Sequence, residues 1–343
     1  MSERTDADSL IAAVARGMQG LPLSRKCLIG VSGGRDSVAL LDILIRSGRK
    51  NLVVVHVNHQ LRGRASGGDA AFVRRLAAKH GLPILVAKAD TQLYADARGV
   101  SLELAARELR IATFGAASKR YRTKHLVTAH HAEDQAETCL FNYVRGTGAA
   151  GLAGMQQVSQ FQVADQEITI HRPMLTVRRH EIDGYVQSAR LRFREDSSNG
   201  SPDFTRNRIR HEVMPLLREI MGDRVTDAIL RNAEIMRGEH AVLGDLVATH
   251  ALDEVLSVNT LRSLPLAIRR RMVHAWLARF GPGVSGFTEV EQVLLLVPAS
   301  SEVAKVNLPG GFHCRRTAGR IFLQPPGEST SRARQPLSQI SGD

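Results

Sequence analysis

Cysteine and aromatic residues are scarce in this chain, and long hydrophobic runs are absent from it. Its three cysteines, Cys27, Cys139 and Cys314, are widely spaced and form no CxxC pair, which argues against a zinc or iron–sulfur site. No apolar run approaches the ~20 residues of a membrane-spanning helix, and the first residues lack the apolar core of a signal peptide. We therefore expect a cytoplasmic protein that has no membrane partner.

Acidic residues are in deficit. Lysine and arginine together number 46 against 34 aspartates and glutamates, which gives a formal net charge of +12 over 343 residues. A basic surface attracts polyanions, and nucleic acid is the commonest of these. The same charge would also serve solubility alone, so composition leaves nucleic-acid binding as one of two interpretations.

Short apolar runs alternate with helical patterns over the first two hundred residues. Runs rich in β-branched residues occupy positions 26–31, 52–57, 83–87 and 125–129, and helical patterns occupy 37–47, 68–80, 101–120 and 132–144. Apolar runs of this length are typical of strands that are buried on both faces. The alternation predicts an α/β fold with a parallel, doubly wound sheet.

The pattern changes near residue 200. We predict a catalytic α/β domain over residues 1–210 and a mainly helical second domain over 211–282. A small α/β remnant follows over 283–324. Residues 325–343, rich in proline, serine and arginine, are predicted to be a disordered tail.

A glycine-rich loop follows the first predicted strand and opens a helix. Residues 32–37 read SGGRDS. Gly33 and Gly34 allow several main-chain N–H groups to converge on one anion, and the helix N-terminus adds partial positive charge. A bare phosphate would repel the Asp36 carboxylate. The aspartate is explained if it binds a Mg²⁺ ion that lies between it and the phosphates. The alternative is an ordinary turn in which Asp36 caps the helix. The loop fits neither a Walker A nor a GxGxxG motif.

A second polar group follows the fourth predicted strand. His130, Asp134 and Glu137 are spaced i, i+4 and i+7, which places them within about 60° on one helix face. Ligands bind at the carboxyl edge of such sheets. Two carboxylates there could hold an ammonium group while a neighbouring base takes its proton. The alternative is a solvated helix face with local ion pairs.

The loop resembles the SGGxDS signature of the PP-loop ATP pyrophosphatases, and further blocks resemble the lysidine synthase family in particular. They occur in the family order over residues 26 to about 215, whereas the later chain resembles the family only loosely. These blocks are VNHQLRG at 57–63 with Ser66 and Asp69, a helix with Glu103, Arg107 and Arg110, HHAEDQAET at 130–138, RGTGAAGLAGM at 145–155, RPML at 172–175 and EDSSNGSPDFTRNRIR at 195–210.

The resemblance implies an adenine nucleotide alpha hydrolase-like fold and a ligase that forms a carbon–nitrogen bond. Such enzymes use ATP, Mg²⁺, free L-lysine and a tRNA(Ile) with a CAU anticodon. AMP is first transferred to the C2 oxygen of the wobble cytidine, with release of pyrophosphate. The lysine amine then attacks C2, and AMP leaves.

The resemblance also implies residue roles. ATP and its phosphates would contact the loop and the end of the second strand, through Ser32, Gly33, Gly34, Arg35, Asp36, Ser37, Val57 and Asn58. Asp36 would hold Mg²⁺, and Asp134 and Glu137 would bind lysine. The catalytic residues would be Asp36, His130, Asp134 and Arg206. The tRNA would contact Arg107, Arg110, Arg145 and Arg206, and basic residues of the helical domain, Arg218, Arg231 and the cluster at 269–271, could follow its backbone.

Two positions depart from the family pattern. Glu133 stands where an aspartate is usual, which puts a metal role there in doubt, and Ile111 replaces a tyrosine. Three rival interpretations remain: a tRNA thiolase with the same loop, a small-molecule synthetase acting on GMP or NAD precursors, and a catalytically inactive RNA-binding protein. The first would need a cysteine pair, the second does not explain the basic excess, and the third does not explain Asp36.

Overall fold

The computed structural model describes residues 2–61, 64–194, 205–250, 253–281 and 286–327. Most of the predicted tail, at 328–343, lies outside the described residues, as do positions 62–63 and 195–204 of two of the sequence blocks. None of the described helices has the length and apolarity needed to cross a lipid bilayer.

The chain divides into two compact units, Met1–Arg237 and Gly238–Asp343. The division falls inside the long helix Val225–Ala248, and the domain boundaries at residues 210 and 282 stay predictions from the sequence. The first unit contains, in chain order, α1 (Ser2–Gly17), β1 (Cys27–Gly30), α2 (Arg35–Arg46), β2 (Leu52–Asn58), α3 (Arg64–Lys79), β3 (Ile84–Lys88), α4 (Thr91–Arg98), α5 (Leu102–Tyr121), β4 (His125–Val127), α6 (Ala132–Val144), α7 (Gly148–Leu152), β5 (Val158–Val163), β6 (Gln166–His171), α8 (Arg179–Ser188), α9 (Thr205–Arg208), a π-helical segment (Ile209–Val213), α10 (Met214–Met221) and the first part of α11 (Val225–Ala248).

A six-stranded sheet in the order β3-β2-β1-β4-β6-β5 forms the centre of the first unit. All neighbouring pairs are parallel except β5 with β6. Successive residues of β1 enter different cores, since Ile29 packs in a cluster with α1, α2 and α8 whereas Leu28 packs in one with α5. Apolar layers on both faces explain why these strands are unbroken apolar runs, and the predicted fold class is confirmed.

The strand order creates a crevice between β1 and β4. The chain winds in one direction from β1 through β2 to β3 and then returns to place β4 on the other side of β1. Loops that follow two such strands lead away to opposite faces of the sheet, which leaves room for a ligand at their carboxyl ends. Both polar motifs predicted from the sequence lie at this edge.

The second unit has one core of its own. It is built from β7 (Val255–Ser257), α12 (Val258–Ser263), α13 (Leu266–Phe280), α14 (Phe287–Leu294), β8 (Lys305–Asn307), a 3-10 turn (Pro309–Gly311), β9 (His313–Thr317) and β10 (Arg320–Gln324). The strands form an antiparallel sheet in the order β7-β10-β9-β8. Trp276, Val293 and Ile321 are fully buried in a single cluster, so the helices before residue 282 and the strands after it pack together.

Candidate active site

The loop after β1 is shaped to receive an anion. Gly33 has a φ of +97°, and a Cβ atom there would meet a Val73 methyl at 3.3 Å. Helix α2 begins after Gly34 without a side-chain cap. Because the first N–H groups of a helix have no intrahelical acceptor, those of α2 are left to bind a ligand at the positive end of the helix dipole.

Two serine hydroxyls line the same loop. Ser32 Oγ accepts a hydrogen bond from the Gly34 N–H (3.1 Å) and lies 3.2 Å from Ser37 Oγ. Ser37 Oγ in turn donates to the Gly34 carbonyl (2.9 Å). On the outer side of the loop, the Arg194 N–H donates to the Gly33 carbonyl (2.9 Å). The loop is therefore held in place before any ligand binds, as phosphate recognition by main-chain groups requires.

The side chain of Arg35 is directed away from the loop. Its guanidinium donates to Asp183 Oδ1 on α8 (2.5 Å) and lies 5.0 Å from the centre of the Phe193 ring. This ion pair joins α2 to α8. The predicted contact of Arg35 with ATP would therefore be made by its main-chain N–H and not by its guanidinium group.

One carboxylate oxygen of Asp36 has no hydrogen-bond donor in the part of the chain that the structure describes. Within the described part of the chain, Oδ1 is buried without a hydrogen-bond partner. Oδ2 lies 3.8 Å from His131 Nε2 and 3.9 Å from an Arg179 nitrogen. A buried oxygen without a partner is costly, and a hard divalent cation prefers oxygen ligands of this kind. The geometry of Asp36 thus fits Mg²⁺.

His131 begins α6 and connects Asp36 to the acids of that helix. Its main-chain N–H donates to Asp134 Oδ2 (3.1 Å), and its ring nitrogens lie 3.0 Å from Glu133 Oε2 and 3.5 Å from Asp134 Oδ2. Burial lowers the pKa of His131, but the hydrogen bond to Glu133 and the charges of Asp134 and Asp36 outweigh it and raise the pKa overall. Sequence reasoning selected His130 and missed this neighbour.

Both oxygens of Glu133 are filled by protein donors. Oε1 accepts from Arg178 Nε (2.9 Å) and Oε2 from the Arg179 N–H (2.9 Å). Burial opposes ionisation of this carboxyl, yet its hydrogen bond to His131 and the charges of His131 and Arg178 lower its pKa to about 2. Glu133 therefore ties the start of α6 to the start of α8, and its carboxylate is an internal ion-pair partner.

Asp134 and Glu137 lie side by side on α6, whereas His130, predicted on the same helix face, precedes the helix. Two arginines accompany the acids. Arg210 donates to Asp134 Oδ1 (2.6 Å) and to both oxygens of Glu137 (2.7 and 2.9 Å). Arg206 lies 3.6 Å from each carboxylate. Burial raises the pKa of Asp134, but the charges of His131, His130 and the arginines lower it to about 2. Arg210 was not singled out from the sequence, although its i+4 spacing from Arg206 could have indicated it.

His130 lies in a cationic environment. Its Nδ1 is 2.9 Å from the Thr128 hydroxyl. Burial, followed by the charges of Arg172, Arg206 and Arg110, lowers the pKa of His130 to about 3 against the opposing charge of Asp134. The imidazole is therefore neutral at pH 7. Arg110 and Arg206, two of the predicted tRNA contacts, lie close enough to His130 to contribute to its lowered pKa.

The remaining predicted residues lie at the edges of this region. Asn58 is buried at the end of β2, where its Oδ1 accepts from the Gln60 N–H (3.0 Å), and Val57 is half-buried beside it. Arg107 is exposed on α5, and Arg145 is exposed at the end of α6, 5.1 Å from the Phe141 ring. The structure thus gathers the loop, Asp36 and the α6 acids, while the individual ligand contacts stay predictions.

This sheet order and glycine-rich loop define a PP-loop protein. The family model described as the PP-loop domain matches residues 8–217. A second model, described as the TilS substrate binding domain, matches residues 256–322. The fold also resembles that of the U34-tRNA thiolase NcsA from Methanococcus maripaludis, with a TM-score of 0.54 and 16% identity, over 68% of this chain and 80% of that one.

Proteins of similar sequence identify the family within the PP-loop class. A tRNA(Ile)-lysidine synthase from Geobacter sulfurreducens is 36% identical over 83% of this chain and 62% of its own length. One from Porphyromonas gingivalis strain W83 is 42% identical over 62% of this chain and 45% of its own length. One from Solibacter usitatus is 32% identical over 92% of this chain and 71% of its own length. The chain belongs to the tRNA(Ile)-lysidine synthase family, and it spans less than two thirds of the first two relatives.

Proposed function

We propose that this chain catalyses lysidine formation on tRNA(Ile). It would transfer AMP from ATP to the C2 oxygen of the wobble cytidine in a CAU anticodon, and free L-lysine would then displace AMP to form the new carbon–nitrogen bond. The observation that carries the proposal is the meeting, at one crevice, of the anion-binding loop, the unfilled oxygen of Asp36 and the acidic face of α6.

The loop would bind the phosphates of ATP. The main-chain N–H groups at the start of α2 and the hydroxyls of Ser32 and Ser37 supply donors without any cationic side chain. Asp36 Oδ1 would hold Mg²⁺, which supplies charge neutralisation on the phosphates when it is bound. The end of β2 at Val57 and Asn58 borders the loop and would contact the adenine.

The acidic pair on α6 would orient the lysine substrate rather than take its proton. With a pKa of about 2 for Asp134 and about 3 for His130, proton transfer from an ammonium group of pKa ~10.4 would be uphill by roughly 10 kcal/mol. Each carboxylate oxygen has a second lone pair, so a lysine cation can share Asp134 and Glu137 with Arg210. The carboxylates raise the pKa of a bound lysine and the nearby arginines offset that rise, and the attacking amine would release its proton to solvent before it acts as the nucleophile.

The neutral imidazole of His130 suits contact with an uncharged base. It can donate or accept a hydrogen bond to a flipped-out cytidine, while Arg110 and Arg206 would bind negative charge on the phosphate that leaves as AMP. Arg107 and Arg145, which are exposed, would contact the tRNA backbone.

A reconstituted reaction tests the proposal. With ATP, labelled lysine and a CAU tRNA, we expect lysine to enter the tRNA with release of AMP. Asp36→Asn should abolish both and leave tRNA binding intact. Asp183→Asn, which changes a neighbouring carboxylate whose partner among the described residues is Arg35, should retain most of the activity. AMP release without lysine incorporation would instead indicate another PP-loop reaction. The absence of both AMP and lysine-containing tRNA would support an inactive RNA-binding protein.

A further inference from the structure

A cationic cavity lies at the opposite edge of the first-unit sheet, at the amino ends of β1 and β4. It has a volume of about 510 Å³, which is within the range of small-molecule sites. Its lining carries five basic side chains and no acidic one: Arg25, Lys26, Arg122, Lys124 and His125. Lys26 and Ser32 lie on either side of β1, and the extended chain from one to the other separates the cavity from the phosphate loop by about 20 Å.

Three of the cationic side chains have no neutralising partner among the residues that the structure describes. Within the residues that the structure describes, no ion pair or side-chain hydrogen bond engages Arg25, Lys26 or Arg122. Lys124 lies 3.8 Å from Glu167, and both side chains are more than half exposed, so solvent weakens that pair. The charge of the cavity is therefore available to a ligand.

Hydrogen bonds fix the backbone that carries these side chains. Thr123 Oγ1 donates to the Lys26 carbonyl (2.6 Å), which joins the segment before β4 to the segment before β1. Ser118 Oγ donates to the Thr123 carbonyl (2.9 Å), and the Asn51 amide donates to the Ser24 carbonyl (2.7 Å). The main chain around the cavity is thus held in place, and the exposed basic side chains extend from it.

Arg122 occupies a costly position at the rim. It ends α5 in the left-handed conformation, with φ of 52° and ψ of 53°, where glycine or asparagine is usual. A residue that keeps a long cationic side chain in such a conformation is a candidate for function.

A buried arginine next to the cavity lining adds further positive charge. Arg49 is 4% exposed and donates to the carbonyls of Leu21 (2.5 Å) and Pro22 (3.1 Å). Burial, and then the charges of Arg25, Lys124 and Arg49, lower the pKa of His125. The field in the cavity therefore repels cations and attracts anions.

We propose that this cavity is a second phosphate-binding site, distinct from the loop after β1. Several lysine and arginine donors converge on one space, which matches the multiple charges and oxygens of a phosphate group. The phosphate could belong to the backbone of a bound RNA or to a free phosphorylated small molecule. This inference is independent of the reaction proposed above.

Charge reversal in the full chain tests the site. We would compare Lys26→Glu/Arg122→Glu with Lys79→Glu/Arg98→Glu, a control that makes the same change of charge at exposed positions on α3 and α4. Calorimetric titration with inorganic tripolyphosphate should show one bound equivalent fewer in the cavity variant than in the wild type and the control. The neutral pair Lys26→Gln/Arg122→Gln, with circular dichroism to confirm folding, should show weakened binding at the same site.

Binding of a CAU tRNA then distinguishes the two sources of phosphate. An affinity about tenfold weaker in the cavity variant than in the control would identify the RNA backbone as the occupant. Equal tRNA affinity with loss of the tripolyphosphate site would identify a free phosphorylated molecule. The proposal is overturned when the cavity variant binds both tripolyphosphate and tRNA as the control does.

Discussion

Glu133 illustrates how one extra methylene changes the contacts of a residue. In the family pattern an aspartate is usual here, and the longer side chain puts a metal role in doubt. The longer side chain instead reaches Arg178 Nε, the Arg179 N–H and the His131 ring at the same time. A carboxylate with this many donors stabilises the fold in its charged form.

The low pKa of Glu133 makes the stability of the first unit depend on pH. Its folded value of about 2 lies below the ordinary 4.5, so its contribution is present above pH 4.5 and is lost as the pH falls toward 2. Glu133→Gln should therefore lower the free energy of unfolding by about 3 kcal/mol at pH 7, and the difference should shrink at pH 3. Urea unfolding at the two pH values measures both.

Glu219→Gln on α10 is the matched control, because Glu219 lies in the same unit, is exposed and has no ion pair within the described segments. It should leave stability nearly unchanged at both pH values. A loss that is the same at pH 7 and pH 3 would mean that the charge of Glu133 is not what stabilises the fold.

His130 offers a second test at the residue scale. Burial and three nearby arginines place its pKa at about 3, so the folded state resists protonation and we expect no titration of this ring between pH 8 and pH 5. Imidazole resonances followed by NMR, with His130→Asn to identify the signal, give the measurement. A midpoint near 6.5 would contradict the cationic environment described here.

At the scale of elements, the π-helical segment Ile209–Val213 explains how one arginine reaches two acids on α6. It interrupts the helical path between α9 and α10, and such interruptions are frequent at functional sites. Arg210 lies in it and bonds Asp134 and Glu137, whose side chains are 12% and 5% exposed. Removing one partner of a largely buried ion pair leaves uncompensated charge.

Arg210→Ala should therefore destabilise the first unit by about 3 kcal/mol. Arg208→Ala on the same stretch breaks an exposed pair with Glu212 and should change little. Circular dichroism reports on both units, whereas the single tryptophan, Trp276, reports on the second. We expect the dichroism transition to shift in Arg210→Ala without a shift in Trp276 fluorescence. Equal effects of Arg210→Ala and Arg208→Ala would contradict a stabilising role for the ion pairs of Arg210.

The elements that the sequence predicted are those with a local signal. Strands β1 to β4 are apolar runs, and α6 was predicted with its observed bounds, Ala132–Val144. The β5–β6 hairpin was missed because β5 alternates exposed and half-buried residues at a sheet edge. Contacts such as Arg210 with Asp134, 76 residues apart, are formed by tertiary packing, and no local pattern encodes them.

At the scale of the whole chain, each unit has its own core and matches its own family model. Most of the excess of basic residues lies in the first unit, which has Arg107, Arg110 and the cavity described above, although the second unit has the cluster at 269–271. Of that cluster, Arg270 is paired with Glu291, whereas Arg269 and Arg271 donate to main-chain carbonyls. Contacts between a surface of this charge and the proposed tRNA substrate would be made largely with phosphates.

The salt dependence of tRNA binding follows from this charge. Each phosphate contact releases counterions, so for about six contacts a twofold rise in salt should weaken binding by roughly 40-fold. Filter binding of a CAU tRNA between about 50 and 200 mM salt measures the slope of log affinity against log salt. Binding of tripolyphosphate serves as the control, because a small ligand engages fewer cations and should give a shallower slope. If the tRNA slope were near zero, base contacts rather than the net charge of +12 would have to supply the affinity.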